Sequence, residues 1–549
     1  MRKFFGTLTA HPKNDILSGL TVALALVPEA VAFAFVAGIP PLVGLYGAFM
    51  MGIITSIFGG RPGMISGATG AMAVVMVYMI SEGNKVGLAL DEPVEMLGLQ
   101  WLFITLLIVG AIQMLAGLLR LGKFVRLIPH PVMMGFVNGL AIVIFLAQLG
   151  LFPEVNNGDG FLDNPGASIS AFFGSSEMLI MIGFVLLTMA IMWLLPKLTT
   201  KIPSALVAIV VVALITIGFN MDVSTVGSFI RDGGGAGLEG SLPAFQSQLP
   251  DFISTLDGHW GLILSTAFVL AAVGLIESLM TLNLIDDMTN TRGNGNRECL
   301  AQGGANLLNG LFGGMGGCAM IGQSIINVSS GGRGRLSGII ASLALLSFIL
   351  FAAPLIEQIP MAALVGVMFM VVIGTFAWSS FRILHKIPKS DAFVLIAVSA
   401  ITVWQDLAIA VIAGVIMSAL TFAWKNATRI RARKRIKEDG TKVYEIWGPL
   451  FFGSTTNFSQ KFDVLNDPDK IEIDFIESRV ADQSGVEALR NIANKYLDAG
   501  KEIKLTHLSP DCKRLILKAN DKFAPYITDS VDDPRYYVVT DTPDPRATA

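Results

Sequence analysis

The chain has 549 residues, 53% of them hydrophobic and only 15% charged, with a mean hydropathy of +0.64. Soluble chains of this length carry about 25% charge, so a purely water-soluble enzyme is excluded and a membrane protein is expected. The net charge of -3 says little about partners, and no nucleic-acid partner is expected; Cys299, Cys318 and Cys512 lie too far apart for a metal cluster or a disulfide framework.

The N-terminus carries Arg2 and Lys3 and stays polar to Asp15. No small-residue cleavage site follows a short apolar core, so no removable signal peptide is expected. Apolar runs suited to crossing about 30 Å of hydrocarbon then recur near 16–36, 42–58, 69–81, 97–119, 127–150, 177–195, 203–219, 260–284, 299–312, 319–330, 336–356, 360–378, 391–404 and 407–424. The third, ninth and tenth are short. Alternate loops are basic: Arg61; Arg120, Lys123 and Arg126; Lys197 and Lys201; Arg292 and Arg297; Arg333 and Arg335; Arg382, Lys386 and Lys389; then a run from Lys425 to Lys437. The opposite loops hold Lys85 and Arg231 with acids such as Asp91, Glu92, Glu154 and Asp163. This asymmetry predicts an integral protein of the cell membrane with both termini in the cytoplasm, and an even number of spans.

The stretch Leu311–Leu336 breaks the helical pattern. Gly313, Gly314, Gly316 and Gly317 favour irregular backbone, and a short helix is expected over Ala319–Val328. A half-helix starting inside the membrane aims unpaired N–H groups and a positive dipole end at an anion. A kinked, tightly packed helix is the alternative. The first half has the same texture. Val27-Pro28-Glu29-Ala30 interrupts one helix, and Gly60-Arg61-Pro62-Gly63-Met64-Ile65-Ser66-Gly67-Ala68-Thr69-Gly70 leads into the short third span. In the second half Glu277 interrupts an apolar helix before the glycine-rich stretch. Matching breaks in two halves predict an inverted repeat around a central site.

The transmembrane part is expected over 1–435. From 439 to 543 the chain reads as a soluble α/β module, with strands at Lys442–Ile446, Ile471–Phe475 and Glu502–Leu505. Val486, Leu489, Ile492, Ala493 and Tyr496 give helical spacing over Ser484–Leu497, with Ser484 as the expected cap. Residues 544–549 read as a disordered tail.

Several motifs together resemble the SulP anion permeases, across nearly the whole chain. They are Asp15-Ile16-Leu17-Ser18-Gly19-Leu20-Thr21-Val22-Ala23, Val27-Pro28-Glu29-Ala30-Val31-Ala32-Phe33-Ala34 and Ala37-Gly38-Ile39-Pro40-Pro41-Leu42-Val43-Gly44-Leu45-Tyr46 near the start. Further on come Ile128-Pro129-His130-Pro131-Val132-Met133-Met134-Gly135-Phe136, Ile276-Glu277-Ser278-Leu279-Met280-Thr281 and Arg333-Gly334-Arg335-Leu336-Ser337-Gly338. Gly448-Pro449-Leu450-Phe451-Phe452-Gly453 and Ala481-Asp482-Gln483-Ser484-Gly485 are similar to patterns of the STAS domain that usually follows. The resemblance implies a polytopic helical membrane protein of fourteen spans, built as two inverted seven-span repeats with a core and a gate domain. It implies an anion between the third and tenth half-helices, near Ser66, Thr69, Gly70, Ala71, Gly317, Cys318, Ala319, Met320 and Gln323. It also implies a homodimer and a cytoplasmic regulatory partner at the STAS domain, with Ser484 where soluble STAS proteins carry a phosphorylated Ser. The nucleobase permeases share the membrane architecture but not this C-terminal domain.

The family pattern has Pro at the place of Gly316 and Arg at that of Gln323. Without that Arg a fixed positive charge is missing, which disfavours a dianion such as sulfate. Ser66-Gly67-Ala68-Thr69-Gly70-Ala71-Met72 is similar to the third-span motif of cyanobacterial bicarbonate permeases, with Ala68 and Ala71 in place of Pro. That tilts the expectation toward bicarbonate over sulfate. Glu277 and Thr281 share a helix face, and in bicarbonate-transporting relatives a carboxylate and a Thr at these places help hold Na⁺. Their alternative is a structural hydrogen bond. Glu29 either takes a proton or cation or braces the break at Pro28. Asn138 and Gln148 are expected to be helix–helix glue, Asp286 and Asp287 solvated, and His130 structural.

No Ser/His/Asp order, zinc cluster or phosphate loop is present, and no enzyme is expected. Three classes remain: a secondary transporter of a small inorganic anion with Na⁺ or H⁺ as coupling ion and an elevator-like movement; an anion channel or exchanger; and a membrane-tethered regulatory module worked by the STAS domain. The first is preferred.

Overall fold

Backbone polar groups have no water to bond inside a bilayer, so a chain this apolar folds into helices first. The computed structural model describes residues 12–90, 93–123, 129–149, 151–152, 176–199, 203–221, 223–232, 240–404, 407–519 and 521–528. Arg2, Lys3, Asp91, Glu92, Arg126, Ile128, Glu154, Asp163, Lys201 and the tail 544–549 lie outside the described residues. The chain separates into two compact units, Met1–Val415 and Ile416–Ala549.

Numbering helices of nine residues or more, the first unit starts with α1 (Pro12–Ala37), α2 (Pro41–Phe58), a short strand β1 (Ser66–Ala68), α3 (Gly70–Leu88), α4 (Leu97–Leu118), α5 (His130–Leu149), α6 (Ser176–Leu198) and α7 (Ser204–Gly218). The same order then repeats: α8 (Trp260–Thr289), α9 (Gly295–Phe312), β2 (Gly317–Ala319), α10 (Ile321–Ser329), α11 (Arg335–Phe351), α12 (Met361–Thr375), α13 (Lys389–Trp404) and α14 (Leu407–Ala427). The boundary between the units falls inside α14. Among the described residues, seven helices are long and apolar enough to cross a membrane by length and composition. Ser204–Gly218 and Arg335–Phe351 are shorter apolar helices.

Packing sorts these helices into two bundles. The helices α4 and α9, α1 and α11, and α2 with α9 and α11 form one; α5 with α13 and α6 with α12 form the other. In the second bundle the fifth helix of each repeat packs on the sixth helix of the other, as an inverted repeat requires. The α4–α9 seam is tight because small residues line it: a Cβ on Gly110 would lie 2.6 Å from the Gly303 carbonyl oxygen.

Helix ends explain the loop charges. Arg335 Nη1 donates to the carbonyls of Ser56 (2.8 Å) and Ile57 (3.1 Å), and its Nη2 to that of Gly59 (2.7 Å). Arg297 Nε donates to Phe58 O at 2.7 Å. Two guanidinium groups therefore sit at the negative end of α2. Asp286 is not simply solvated, as expected from sequence: its Oδ1 lies 3.2 Å from Arg61 Nε, and it accepts from Gly293 N. Asp287 is exposed. Gly313 closes α9 with φ +73°, a conformation open to glycine.

The second unit carries a five-stranded sheet in the order β3 (Arg431–Ile436), β4 (Lys442–Trp447), β5 (Lys470–Glu477), β6 (Glu502–Thr506) and β7 (Ile527–Thr528). The β3–β4 pair is antiparallel and the rest are parallel. This corrects the expected boundary: residues 431–435 are an edge strand of the soluble sheet and not the end of the transmembrane part. They escaped notice because an exposed edge strand needs no apolar alternation. Helix α15 (Gln483–Asp498) buries Val486, Leu489, Ile492, Ala493 and Tyr496 on the sheet. Its cap is Asp482, whose Oδ1 accepts from Gly485 N at 2.8 Å, so Ser484 is exposed within the first turn and does not cap the helix.

Candidate anion site

The strands β1 and β2 pair antiparallel in the register Ser66↔Ala319, Gly67↔Cys318, Ala68↔Gly317. This is the pairing that a two-fold axis between the repeats produces. It also satisfies backbone groups that would otherwise be orphaned at membrane depth. Each strand runs straight into a helix, with Thr69 preceding α3 and Met320 preceding α10 in extended conformation and without a side-chain cap. The first N–H groups of each helix, Gly70–Met72 and Ile321–Gln323, therefore have no intrahelical acceptor.

This corrects one detail of the sequence reading. The N–H groups over 317–320 are already engaged: Gly317 N donates to Asn306 Oδ1 (2.9 Å), Ala319 N to Ser278 Oγ (3.1 Å) and Met320 N to Ile65 O (2.9 Å), while Cys318 is the ladder partner of Gly67. The free donors of the second half-helix start at Ile321, because the helix starts there and not at Ala319.

The two helix ends open on a cavity of about 660 Å³. Its walls include Thr21, Glu29 and Phe33 of α1, Thr69, Gly70 and Ala71 at α3, Glu277 of α8, and Met320 and Gln323 at α10. On the other side stand Phe136 and Ile144 of α5, Met192 and Pro196 of α6, and Val367 and Met370 of α12. The cavity is thus bounded by both bundles. Among the described residues that line it there is no Lys, Arg or His, while two are carboxylic acids.

Of the sequence-predicted residues, Thr69, Gly70, Ala71, Met320, Gln323, Glu29 and Glu277 line the cavity. Ser66, Gly317, Cys318, Ala319 and Thr281 are buried behind it. Cys318 Sγ lies 3.2 Å from Thr69 Oγ1 and donates to Glu277 Oε2 at 2.9 Å, linking the two repeats and the acid. Thr281 Oγ1 donates to Glu277 O (2.8 Å) and Ala319 O (3.4 Å). Ser66 Oγ accepts from Gln302 Nε2 at 2.9 Å. Gln323 is 2% exposed, lines the cavity as Glu29 does, and its Oε1 has no partner.

Thr281 Oγ1 and Ala319 O meet at 3.4 Å one helical turn from Glu277, whose carboxylate takes the Cys318 thiol beside them. Oxygen donors of this type suit a small hard cation such as Na⁺. Among the described residues no group of three or more His, Cys, Asp or Glu could hold a metal ion.

Sequence reasoning missed the brace beneath the strands. Glu298, Gln302, Asn306 and Asn309 of α9 are all fully buried. Glu298 accepts from Gly60 N and Gln302 Nε2, both at 2.7 Å, and Asn309 Nδ2 donates to Met315 O at 2.8 Å. Their spacing of four, four and three was the available signal: four polar residues on one face of an otherwise apolar span. Asn138 is the expected glue, with Nδ2 donating to Ser380 Oγ (3.0 Å) and Oδ1 accepting from Ala377 N (2.8 Å). Gln148 is not: it is fully buried and neither of its amide atoms has a partner. His130, at the head of α5, is exposed.

Comparison with known proteins agrees with this architecture. The profile of the sulfate permease family matches residues 13–398, and that of the STAS domain matches residues 433–533. YbaR of Bacillus subtilis strain 168, whose name assigns sulfate transport provisionally, is 40% identical over 516 residues, 94% of this chain and 98% of that protein. The bicarbonate transporter BicA of Picosynechococcus sp. is 30% identical over 533 residues, 92% of this chain and 90% of BicA. The solved transmembrane domain of a cyanobacterial BicA is 33% identical and matches with a TM-score of 0.62, covering 74% of this chain and 98% of that one. The chain belongs to the sulfate permease family of anion transporters and carries a STAS domain.

Proposed function

We propose that this protein is a secondary-active carrier that takes up bicarbonate together with Na⁺ or a proton. The observation that carries this reading is the charge balance among the described residues of the cavity: two helix N-termini and two carboxylic acids, with no basic side chain. Each helix end is worth roughly half a positive charge, so the pair offsets about one negative charge. Bicarbonate fits that balance and sulfate leaves one charge over, because Gln323 supplies dipoles where an Arg would supply a full charge. An ionised Glu277 worsens the balance until a cation or proton neutralises it. Na⁺ held by Glu277, Thr281 and Ala319 O, or a proton on Glu277 or Glu29, restores it and makes anion and cation affinities mutually dependent.

The movement in this reading is elevator-like. The bundle of α1–α4 and α8–α11 carries the anion past the α5–α7 and α12–α14 helices. Basic loops put both termini in the cytoplasm. The STAS domain modulates transport and receives a cytoplasmic regulatory protein, with Ser484 as a modifiable position, and the working form is a homodimer. A sulfate carrier is the second reading, favoured by the name of YbaR.

The test is uptake of labelled bicarbonate and labelled sulfate into proteoliposomes, with and without Na⁺ and pH gradients. Concentrative bicarbonate uptake driven by either gradient is expected. Uptake that ignores both gradients would point to a channel or exchanger, and preference for sulfate to the second reading. A chain stopped at Ala427, before β3, should still transport; complete loss in a well-folded truncation would favour a STAS-based regulatory module.

A further inference from the structure

The helix faces that line the cavity continue beyond its closed end. On α5 the lining residues Val137, Leu140 and Ile144 step by three and four and so share one face. Gln148 is the next residue on that face. On α6 the lining residues Met192 and Pro196, followed by Thr199 just past its end, form the corresponding stripe, and Thr188 is the next residue one turn in the other direction. The cavity takes the middle of α5, from Phe136 to Ile144, and the C-terminal half of α6. Forward on α5 and backward on α6 lead away from the lining residues Thr199, Ser330 and Thr375 at the C-terminal ends of α6, α10 and α12.

Both residues are 0% exposed. Neither amide atom of Gln148 has a hydrogen-bond partner, and neither does the Thr188 hydroxyl. Thr188 and the aromatic neighbours of Gln148 meet α12 within one turn of each other. Phe145 and Phe152, which flank Gln148 in sequence, pack on Phe369 with ring centroids 5.2 and 6.5 Å apart. A Cβ on Gly366 would lie 2.7 Å from Thr188 Cβ, and Gly366 is one turn beyond the lining residue Met370. Burying such groups unpaired is unfavourable, and apolar residues of similar shape would avoid the penalty. Three polar atoms left unpaired at one level of the gate suggest that another conformation uses them.

We infer that Gln148 and Thr188 form a polar station on the gate helices that hydrogen-bonds the small oxyanion once the core has carried it toward the opposite membrane face. This rests on the carrier reading above. The Gln148 amide and the Thr188 hydroxyl supply N–H and O–H donors that suit a carbonate or sulfate oxygen. In the present conformation Phe33 and Ile144 close the way, each within 2.8 Å of a Cβ placed on Gly70 at the head of α3. A slide of about one helical turn, roughly 5.4 Å, moves Gly70 from the level of Ile144 to that of Gln148.

Single cysteines test the route. The native cysteines Cys299, Cys318 and Cys512 are buried, and the unsubstituted protein serves as the blank. Gln148→Cys, Thr188→Cys and, at the C-terminal end of α10, Ser330→Cys are exposed to a membrane-impermeant methanethiosulfonate from either face of oriented proteoliposomes. Ser330→Cys should react from one face, and the other two from the opposite face only. If Gln148→Cys fails to fold, Thr188→Cys carries the same test. In parallel, Gln148→Leu and Thr188→Val should each slow bicarbonate uptake about tenfold, the scale of one lost hydrogen bond to a charged group. Their thermal midpoints should hold or rise, since an unpaired buried group has gone. Cysteines inert from both faces, labelling from the same face as Ser330→Cys, or unchanged uptake in both apolar variants would each overturn the station. Labelling needs no transport. Opposite-face labelling with no uptake by the unsubstituted protein would sink the carrier reading while keeping the route.

Discussion

The side chain of Asn306 replaces a strand for Gly317: Nδ2 donates to Gly317 O at 3.0 Å and Oδ1 accepts from Gly317 N at 2.9 Å. The same Nδ2 donates to Gln113 Oε1 at 2.9 Å, and Gln113 Nε2 reaches Ala271 O at 3.4 Å. The outer edge of β2 is thus tied to α4, α8 and α9 at once. Leaving a buried polar group unpaired costs about 1–3 kcal/mol. Asn306→Leu orphans the Gly317 N–H and carbonyl together. It should lower the thermal midpoint and weaken bicarbonate binding, and Asn306→Asp, which keeps the acceptor, should do less. An unchanged midpoint in Asn306→Leu would remove this role.

Glu277→Gln should abolish the dependence of uptake on Na⁺ or pH, and with it uphill transport, while leaving weak anion binding. The Gln amide can still accept from Cys318 Sγ, so the ladder is preserved and the lost charge is isolated. The coupling removed is of the usual size, about 1–3 kcal/mol. Uptake at varied Na⁺ and pH measures it, and full concentrative transport in the variant would refute the mechanism.

Gln323→Arg should shift preference toward divalent anions. The side chain is buried at the head of α10 and lines the cavity as Glu29 does. A guanidinium there adds one positive charge near the anion and can pair with Glu29. The ratio of sulfate to bicarbonate uptake should rise and the cation requirement fall. A ratio that stays the same would mean that the anion does not sense position 323.

Sequence showed the seven longest membrane helices well, because each had only to be apolar and of the right length. It also placed the two half-helices, since glycine runs inside apolar surroundings have few other uses. It did not show that 66–68 and 317–319 pair as strands, because three-residue ladders leave no periodicity. Nor did it show that Ser66, Gly317, Cys318 and Ala319 stand behind the cavity wall, which depends on where each helix begins. The brace of Gln302, Asn306 and Asn309 stayed hidden because its partners, such as Ser66, Gln113 and Gly317, come within reach only through tertiary packing. Arg431–Ile436 was hidden by its charge.

Asp467 should give the soluble unit an acid limit. Its carboxylate accepts from Lys442 Nζ, from Tyr444 OH at 2.6 Å and from Tyr496 OH at 2.5 Å. Burial alone would push its pKa up, but these three hydrogen bonds outweigh burial and hold it below the ordinary 3.8. Burial, followed by the hydrogen bond to Asp467, pushes the Tyr496 hydroxyl up. The unfolded chain therefore binds the Asp467 proton more readily than the folded one. The stabilisation is complete above the ordinary carboxylate pKa and is lost as pH falls through the lowered folded value. Asp467→Asn should flatten the stability–pH curve between roughly pH 5 and pH 2. Unfolding curves of both proteins across that range measure it, and identical slopes would refute it.

Ser484→Asp should change transport without changing the thermal midpoint. Ser484 is exposed in the first turn of α15, where added negative charge meets the positive end of the helix. Asp482 already caps the helix, so the substitution removes no capping bond. Unchanged uptake would leave Ser484 an ordinary surface residue.

The pairing of Gly67 with Cys318 also bears on how the protein is made. A strand at membrane depth needs a partner for its backbone, and Ser66–Ala68 leaves the ribosome long before Gly317–Ala319 exists. The first seven helices must therefore wait in the bilayer with an unclosed edge, guarded by a chaperone, by lipid headgroups or by water. The central ladder is completed only when the second repeat arrives. Neither repeat alone is a smaller version of the transporter, and a nascent chain arrested before β2 should be marked for degradation as an orphan.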